Sequence, residues 1–527
     1  MSAGISLAPS TPALRRVLSA PVPASLVLGL LLCTPLLLVG MPPLTDLPNH
    51  MVRMMLLAGQ LKGSAVASHY RVHWVFVPNL GMDLLVPPLL HIMSATLAAK
   101  LLLAFIVIGW IGGLGLLGRA LHGRWSPWFL TAAFTAWNGG LLAGFMNYCL
   151  SLMLAFWAAG AWLLLRQRVA TPRGLAGLSA LALPFGFVLF VAHLFGAFAF
   201  GAFLGADALV RAWKARAPGP GRAGRLAAAL LPPLPAAVLL GGLYSATKVL
   251  TVGGRTSHER LALLWHSISS AWFSYPVMLG LVTGLVLIVV LLRARRTGRV
   301  AVSPAGLVVL LVAVVLGLAM PFAEHGLHYV NVRFQLFAGV LLSVVFLPSF
   351  AQPRAGRLAA AALGTMFVFR LAIMLIAWSR TGPYLRDVRW ILDQVPPRAR
   401  VGEVQANTAP NGLSPWMIDL TWPTDYHFPV YLAAISNRFV PALFDKPGQQ
   451  PLGALPAEAR TEAAMQTVAR AVLGVRHHGR VGPALRHFDM MIVTGTWAGA
   501  APELLDGRLV RVAERPGIAL YRVVPRP

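Results

Sequence analysis

Acidic residues are scarce in this chain. Its 527 residues contain 17 aspartates and glutamates against 44 lysines and arginines, and charged residues of both signs make up only 12% of the total. Hydrophobic residues account for 57%, and the mean hydropathy is +0.70. No soluble domain encloses that much apolar surface, so the composition excludes one and predicts a polytopic membrane protein in contact with a lipid bilayer.

Cysteine is also rare. The two cysteines, Cys33 and Cys149, lie inside or at the end of apolar runs, and the sequence after residue 380 has none. A disulfide framework is therefore excluded, because it needs several cysteines in the exposed parts of a chain.

Motifs for several common chemistries are missing as well. The chain has no Gly-x-x-x-x-Gly-Lys phosphate loop, no His-Glu-x-x-His, no Gly-x-Ser-x-Gly elbow and no cytoplasmic Asp-x-Asp. The sequence thus contains no recognisable motif for a nucleotide-driven reaction on the cytoplasmic face. The basic residues fall in short clusters between apolar runs and not along one face, so no nucleic-acid partner is predicted.

The sequence is instead rich in apolar runs of nearly spanning length. Eleven of them are found, at 25–41, 101–117, 128–144, 148–165, 175–192, 194–210, 226–244, 277–292, 305–320, 334–347 and 358–377. Starting with the amino-terminal segment, alternate connections carry eighteen arginines and lysines and no acid. The positive-inside rule then places the amino terminus in the cytoplasm and the carboxyl terminus outside.

The few acids within residues 1–379 lie mostly in the other set of connections, which is predicted to be extracytoplasmic. The connections predicted to be extracytoplasmic hold Asp46, Asp83, Glu259 and Glu324. Asp207 is the exception, since it lies near the inner end of its span, where Arg211 is its expected partner. This segregation predicts that the chemistry takes place on the extracytoplasmic face.

The composition changes after residue 380, where twelve of the seventeen acids lie. Strand-like runs at 400–404, 490–494, 509–512 and 518–524 and a helical pattern at 457–473 predict a small α/β unit. The predicted fold class is therefore mainly α. A transmembrane bundle of about eleven spans occupies residues 1–379, and an extracytoplasmic α/β domain occupies residues 380–527.

Asp46 is the candidate reaction centre, because it follows the first apolar run directly, in Pro-Leu-Thr-Asp-Leu-Pro-Asn-His-Met-Val-Arg. Pro48 suits the first turn of a helix, which would place Asn49, His50 and Arg53 on the turns that follow. A carboxylate at the mouth of a membrane bundle is costly to desolvate and often functional. Two simpler interpretations stay open: a solvated loop acid, and a helix cap.

A second polar set precedes the tenth run, at Glu324, His325, His328, Asn331 and Arg333. If the two sets converge, a carboxylate can act as general base while a cation offsets charge on a departing phosphate. Arg333 suits the second role, because its planar fork matches phosphate oxygens. It would alternatively pair with Glu324 or reach lipid headgroups. The histidines are potential ligands of a divalent cation, but a surface position is the commoner state of each, and the metal and cofactor requirement stays unknown.

At these residues the chain resembles the integral-membrane glycosyltransferases of the C fold, which include protein O-mannosyltransferases, aminoarabinose transferases and bacterial oligosaccharyltransferases. The resemblance covers the cytoplasmic amino terminus, the eleven spans, the long first outer loop with an acid after the first span, the basic residue opening a late span and the outer carboxyl-terminal domain. Several of these transferases use a first-loop acid in catalysis, and Asp46 matches that position. Many carry a second adjacent acid, where this chain has Leu47.

The resemblance implies an inverting transfer of a hexose or pentose from a polyprenyl-phosphate carrier to a glycan, lipid or protein acceptor, at the bacterial inner membrane. Asp46 would be the base. The expected donor-phosphate contacts are Arg333, His328, His50 and Arg53, and the expected substrate contacts are Asn49, Glu324 and Asn147. Asn147 lies at a predicted tight turn, which explains its presence equally well.

Two other function classes remain alternatives. A transporter or lipid flippase would place ionisable residues along a pathway inside the spans, which are nearly free of them. A polysaccharide polymerase or ligase would use outer-face arginines without needing a basic carboxylate. In the tail, a polar and aromatic cluster at residues 419–427 is interpreted as a sugar contact or as ordinary loop.

Overall fold

The computed structural model describes residues 21–169, 171–216, 221–246, 271–272, 277–320, 323–324, 327–397, 399–405, 427–441, 443–444, 449–472, 481–495 and 508–524. Within these ranges the chain is mainly helical and has a few small sheets. Glu259 and residues 419–426 of the predicted tail cluster lie outside the described residues.

The first part of the chain alternates long helices with short polar elements. Its elements are α1 (Pro21–Leu32), α2 (Leu47–Leu57), β1 (Tyr70–Val72), α3 (Gly81–Leu89), α4 (Ala95–His122), α5 (Gly139–Leu142), α6 (Met146–Arg168), α7 (Pro172–Ala192), α8 (Leu194–Ala215), α9 (Arg222–Leu230) and α10 (Leu234–Ala246).

The rest of the chain completes the bundle and adds the tail. Its elements are α11 (Val277–Thr297), β2 (Gly298–Val302), α12 (Pro304–Ala319), β3 (Ala323–Glu324), β4 (Leu327–His328), α13 (Val330–Val345), β5 (Phe346–Phe350), α14 (Pro353–Ser379), α15 (Thr381–Asp393), β6 (Val401–Gln405), α16 (Phe428–Ile435), β7 (Leu452–Ala454), α17 (Pro456–Val472), α18 (Val481–Leu485), β8 (Met490–Thr494), β9 (Leu509–Arg515) and β10 (Ile518–Val523).

Six helices of the described part are long and apolar enough to cross a bilayer. They are Ala95–His122, Met146–Arg168, Pro172–Ala192, Leu194–Ala215, Arg222–Ala246 and Pro353–Asp393, and shorter apolar helices lie at Val22–Leu37, Pro304–Ala319 and Val330–Val345. About half of the surface of Phe105, Val188 and Phe369 is exposed, as expected for side chains that face lipid. The chain is a multi-pass membrane protein. The count of eleven spans and their direction stay predictions.

The central helices α4 and α6 run parallel. The indole of Trp157 donates a hydrogen bond of 2.8 Å to the carbonyl of Gly109, and the amide of Gln167 donates one of 2.8 Å to Ala120, so residue numbers rise together along the pair. Both helices carry basic residues in their last turn. The basic carboxyl-terminal ends of α4 and α6 therefore lie at the same end of the bundle, and the amino-terminal end of α6 lies at the opposite end.

The predicted span at 128–144 is not a continuous α-helix. It forms a 3-10 helix at Pro127–Thr135 and the short α5, and these pass through the interior of the bundle. The indole of Trp110 donates to the hydroxyl of Thr135 at 2.9 Å, and that of Trp137 donates to the carbonyl of Leu32 at 2.8 Å. Irregular backbone at membrane depth is tolerated where surrounding protein supplies such partners.

Arg370 of α14 stabilises the same irregular segment through hydrogen bonds. Its guanidinium donates to the carbonyl of Trp272 at 2.6 Å, to the hydroxyl of Thr283 at 2.8 Å and to the carbonyl of Phe134 at 3.1 Å. A buried cation held by backbone carbonyls joins three separate elements of the bundle. The structure thus gives this intramembrane arginine a packing role.

The apolar residues 84–97 of the first outer loop, which include Pro87 and Pro88, belong to two elements. The first part of this segment belongs to α3, and its last part begins α4 after Ser94 caps that helix. The α3 helix buries Asp83 and Val86 while Leu84 and Leu85 are about half exposed. An amphipathic helix of this kind fits the rim of a membrane bundle.

The tail contains a four-stranded sheet in the order β6-β8-β10-β9, with β6 and β8 parallel and the other pairs antiparallel. The four predicted strands and the predicted helix, α17, are present. One face of the sheet, with Ile492 and Leu520, joins the core of the bundle, whereas the other, with Val493 and Tyr521, packs with α17 and α18. The boundary at residue 380 and the extracytoplasmic placement stay predictions.

The tail also contacts the first outer loop directly. Strands β1 and β7 form an antiparallel pair, and the ring of His69 stacks on Phe439 with centroids 3.8 Å apart. The Nδ1 atom of His69 lies 2.7 Å from Oε2 of Glu458. These contacts hold the loop that begins at Asp46 against the tail.

Candidate functional site

Asp46 is held at the end of the bundle opposite the basic helix ends. Its backbone N–H donates to the carbonyl of Ala143 at 3.2 Å, and the N–H of Thr45 donates to Leu142 at 3.0 Å, close to the start of α6. It occupies the N-cap position of α2 and makes no capping hydrogen bond with its side chain. The second helical residue is Pro48, which has no N–H to donate to a capping side chain. Capping thus does not account for this carboxylate.

Gly144 allows the close approach on which this position depends. Its φ is +91°, and a Cβ there would lie 2.7 Å from both Cβ and N of Asp46. Only glycine combines that backbone conformation with that contact at no steric cost. The Gly144 turn therefore sets how deeply Asp46 sits in the bundle.

The Asp46 carboxyl has an unusual electrostatic environment. Burial raises its pKa to about 7, although the charges of Arg333 and Arg53 oppose the shift. The side chain keeps 21% of its surface accessible. A carboxyl with a pKa near 7 changes its protonation state around neutral pH, and this one remains partly accessible to solvent.

Arg53 is committed to a different carboxylate. Its Nε lies 2.8 Å from Oδ1 of Asp83 and its Nη2 lies 3.3 Å from Oδ2, and both side chains are almost completely buried. Its Nη1 donates to Nδ1 of His50 at 3.2 Å. Three of the five N–H donors of Arg53 are thus engaged, and they position α2 against α3. Contact of Arg53 with a donor phosphate stays a prediction.

His50 is held neutral and in one tautomer. Because arginine only donates, Nδ1 of His50 must accept, which leaves the ring proton on Nε2. The ring also bonds to the backbone of Gly144, and burial together with the charge of Arg53 holds the His50 pKa well below its usual range. Both ring nitrogens therefore have protein partners. These contacts tie His50 to the Gly144 turn, and its contact with a donor phosphate stays a prediction.

His427 reaches the site from the tail. Its Nε2 lies 3.7 Å from Oδ1 of Asp46, and its ring meets the Phe444 ring edge-on at 5.2 Å. Burial lowers the pKa of His427 to about 3, so it is a neutral neighbour of Asp46. The N–H of Phe444 donates to Oδ1 of Asn49 at 3.1 Å. Two short tail segments thus close over the start of α2.

Arg333 lies on the other side of the Gly144 turn, in the first turn of α13. Its guanidinium stacks 4.8 Å from the centre of the Phe145 ring, and its carbonyl accepts a hydrogen bond of 2.9 Å from the hydroxyl of Tyr148. Its Nε is buried and has no acceptor among the described residues. The charge of Arg333 lowers the Asp46 pKa, so this member of the second polar set lies close enough to act on Asp46. The convergence of the rest of that set stays a prediction.

The amides predicted to contact substrate have structural partners. The side chain of Asn147 accepts from the N–H of Met82 at 2.6 Å and donates to the carbonyl of Asn79 at 2.6 Å, so it fixes the chain that enters α3. Asn49 is completely buried beside Phe444. In both cases a positioning role explains the residue, and contact with a substrate stays a prediction.

Glu324 and His328 belong to the small β3–β4 hairpin that precedes α13, where Ala323 pairs with His328 and Glu324 with Leu327. Their side chains and the whole of His325 lie outside the described part of the structure. Among the residues that are described, no three or more histidine, cysteine or acidic side chains are grouped so that they could hold a metal ion.

Sequence reasoning proposed Asp46 and Arg333 but did not predict three of the contacts around α2. Asp83 is thirty residues from its partner Arg53, and no local spacing indicates the pair. His427 was interpreted as a sugar contact or as ordinary loop and not as a neighbour of Asp46, and Gly144 was placed at the end of a span. Only a positive φ or a tertiary contact identifies such residues. The Asp207–Arg211 pair, at 2.7 Å, was predicted and is confirmed.

Comparison with known proteins adds little. No family model matches the chain, and no curated protein matches it. Among solved structures it is similar to the arabinofuranosyltransferase AftD from mycobacteria, at 16% identity and a TM-score of 0.44, over 97% of this chain and 42% of that one. A likeness of that strength carries no argument about fold or activity. The chain spans less than half the length of that protein.

Proposed function

We propose that the protein is a membrane glycosyltransferase that moves a sugar from a polyprenyl-phosphate carrier to an extracytoplasmic acceptor, with inversion. The observation that carries the proposal is Asp46 itself: a partly buried carboxyl whose pKa is raised to about 7 although the charge of Arg333 opposes the shift. Acids with displaced pKa values cluster at functional sites. A general base works best when its pKa lies near the working pH.

The reaction needs one proton acceptor and one anion stabiliser. An acceptor hydroxyl attacks the anomeric carbon and its proton passes to the Asp46 carboxylate, while the bond from that carbon to the phosphate oxygen breaks and polyprenyl phosphate leaves. Attack opposite to the leaving group inverts the anomeric centre. Arg333 meets the charge that grows on the departing phosphate, and its buried Nε has a hydrogen bond to offer.

The neighbouring residues divide into two groups. In this proposal Arg333 and His328 contact the donor phosphate and Glu324 contacts the sugar or acceptor. Arg53, His50, Asn49 and Asn147 hold the backbone around Asp46, as their hydrogen bonds indicate. We leave the need for a divalent cation open, because Asp46 has no adjacent acid.

A lipid-borne donor fits the surroundings of the site. The α3 helix buries Asp83 against Arg53 and exposes Leu84 and Leu85 on its other face. A polyprenyl chain in the bilayer can therefore lie along α3 while its phosphate reaches the polar side. We propose that the reaction takes place at the extracytoplasmic surface of a bacterial inner membrane, with the tail over the site.

The direct test is sugar transfer by the Asp46→Asn variant. The protein is reconstituted in liposomes with a radiolabelled hexose or pentose on undecaprenyl phosphate, and membranes lacking the protein supply the acceptors. We expect asparagine to lower kcat at least about 100-fold, since it keeps the shape and removes the basicity. Asp207→Asn, an acid at the other end of the bundle, is the matched control and retains the wild-type rate.

Two outcomes would overturn the proposal. Transfer at the normal rate by Asp46→Asn would exclude Asp46 as the base, and full loss on removing Arg333 alone would then favour a polymerase or ligase. Movement of the lipid-linked sugar across the liposome membrane without any product would favour a transporter or flippase.

A further inference from the structure

A second polar site lies at one end of the tail sheet, away from Asp46. The cavity there has a volume of about 490 Å³. It lies between α18 and the strand ends at the start of β6, β8 and β9 and the end of β10. Four arginines line it: Arg400, Arg486, Arg508 and Arg522.

Asp489 is the one carboxylate among the described residues that line this cavity, and it is already hydrogen-bonded to Arg400. Nη2 and Nε of Arg400 lie 2.8 Å and 3.2 Å from its two oxygens, and the N–H of Arg400 donates to it at 2.9 Å. These hydrogen bonds hold the pKa of Asp489 below its usual range. The pair is neutral overall, which leaves three guanidinium charges around the cavity.

Within the described part of the chain, Arg486, Arg508 and Arg522 have no ion-pair partner. The Nε of Arg508 is buried and lacks an acceptor there. A buried N–H of a charged group without an acceptor is destabilising unless a ligand or water supplies one. The cavity therefore combines excess positive charge with an unused donor.

The absence of a side chain on Gly482 fixes where the guanidinium of Arg508 lies. A Cβ on Gly482 would overlap Nη1 of Arg508, so the guanidinium lies directly against the backbone of α18. This contact restricts the rotamers of a long side chain before any ligand arrives. Preorganised donors lose less entropy on binding than free ones.

We propose that this cavity binds the phosphate group of a phosphorylated saccharide. Guanidinium forks match phosphate oxygens in pairs, and the two charges of a phosphate monoester suit three arginines better than the single charge of a carboxylate. The volume lies in the range of small-molecule sites and accommodates a sugar beside the phosphate. The inference does not depend on the transferase proposal, because no residue is shared with the Asp46 site.

The experiment measures binding of glucose 1-phosphate to the full-length protein in nanodiscs of neutral lipid, by calorimetry, with glucose as the uncharged comparison. We expect saturable binding of glucose 1-phosphate only. The Arg508→Gln, Arg522→Gln double variant should weaken it at least about tenfold. Arg511→Gln is the matched control, since Arg511 is an exposed arginine of β9 that pairs with Glu514 outside the cavity.

A second variant separates geometry from charge. Gly482→Ala keeps every arginine and displaces Arg508, so it should weaken binding by several-fold while the melting temperature confirms that the protein is folded. Nanodiscs with phosphatidylglycerol identify the source of the phosphate, because competition by that lipid would assign the site to a headgroup. Absence of saturable binding by wild-type protein, or equal binding by the double variant, would overturn the proposal.

Discussion

Two acids of the first outer loop, Asp46 and Asp83, differ in almost every physical respect. Asp83 is buried and accepts two hydrogen bonds from Arg53. Asp46 keeps part of its surface accessible, lies 3.7 Å from a neutral histidine and has a raised pKa. The same loop thus holds one carboxylate whose charge is neutralised and one whose charge is only weakly balanced.

The difference separates a structural acid from the proposed reactive one. Breaking the pairing of a buried carboxylate with arginine is strongly destabilising, whereas a desolvated carboxylate without such a partner gains basicity. Arg53 pairs with Asp83, and the charges of Arg333 and Arg53 only partly offset the desolvation of Asp46. Four predictions test whether this division is real.

The largest expected effect is on stability, from Asp83→Ala. This change leaves the guanidinium of Arg53 buried without its carboxylate, which should lower the free energy of unfolding by about 3 kcal/mol or more. Denaturant unfolding in detergent measures it. The matched loss of Asp207, whose partner Arg211 is partly exposed, should cost less than about 1 kcal/mol. Equal losses of unfolding free energy in the Asp83 and Asp207 variants would contradict the structural role assigned to Asp83.

Arg333→Gln should lower kcat about 100-fold with little change in the melting temperature, because the charge that meets the departing phosphate is lost. Arg333→Lys should recover part of the rate, since it keeps the charge without the fork. Arg71→Gln, at an exposed position of β1, is the control. A normal rate for the Arg333→Gln variant would show that Arg333 does not stabilise the departing phosphate.

Gly144→Ala should lower activity about tenfold by pushing Asp46 out of place, in addition to about 1–2 kcal/mol of backbone strain. Gly63→Ala isolates the second effect, because Gly63 also has a positive φ, +81°, and a Cβ added there would have no atom within 4 Å. The Gly63 variant should lose stability and keep its transfer rate. Equal rates for both variants would show that the position of Asp46 does not depend on the turn.

His427→Asn should have the smallest effect, a loss of about two- to fivefold at pH 7. The buried His427 ring lies against Asp46, so its removal should admit water, lower the raised Asp46 pKa slightly and move the midpoint of the rate against pH to a lower pH. The rate against pH for this variant and for a His69→Asn control tests it. A loss that is the same at every pH would mean that His427 acts on the fold alone.

Sequence patterns predicted the parts of the structure that depend on local periodicity. Short apolar runs located β8 and β10, and Pro48 correctly marked the first turn of α2. The apolar run at 128–144 did not reveal the 3-10 helix within it, because hydropathy reports length and not hydrogen-bond continuity. The pairing of Arg53 with Asp83 and the approach of His427 to Asp46 join distant parts of the chain, and single-sequence patterns contain no signal for them.

The pH dependence of kcat/KM for sugar transfer tests the central claim most directly. The ionised Asp46 is the active form, so the rate should rise with pH through a midpoint near 7, about fivefold between pH 6 and 7 and less than about twofold between pH 7 and 8. The Asp46→Asn variant should lose this rise together with the activity. A midpoint near pH 4, or a profile that stays flat from pH 5.5 to about 8.5, would contradict the assignment of Asp46 as the base.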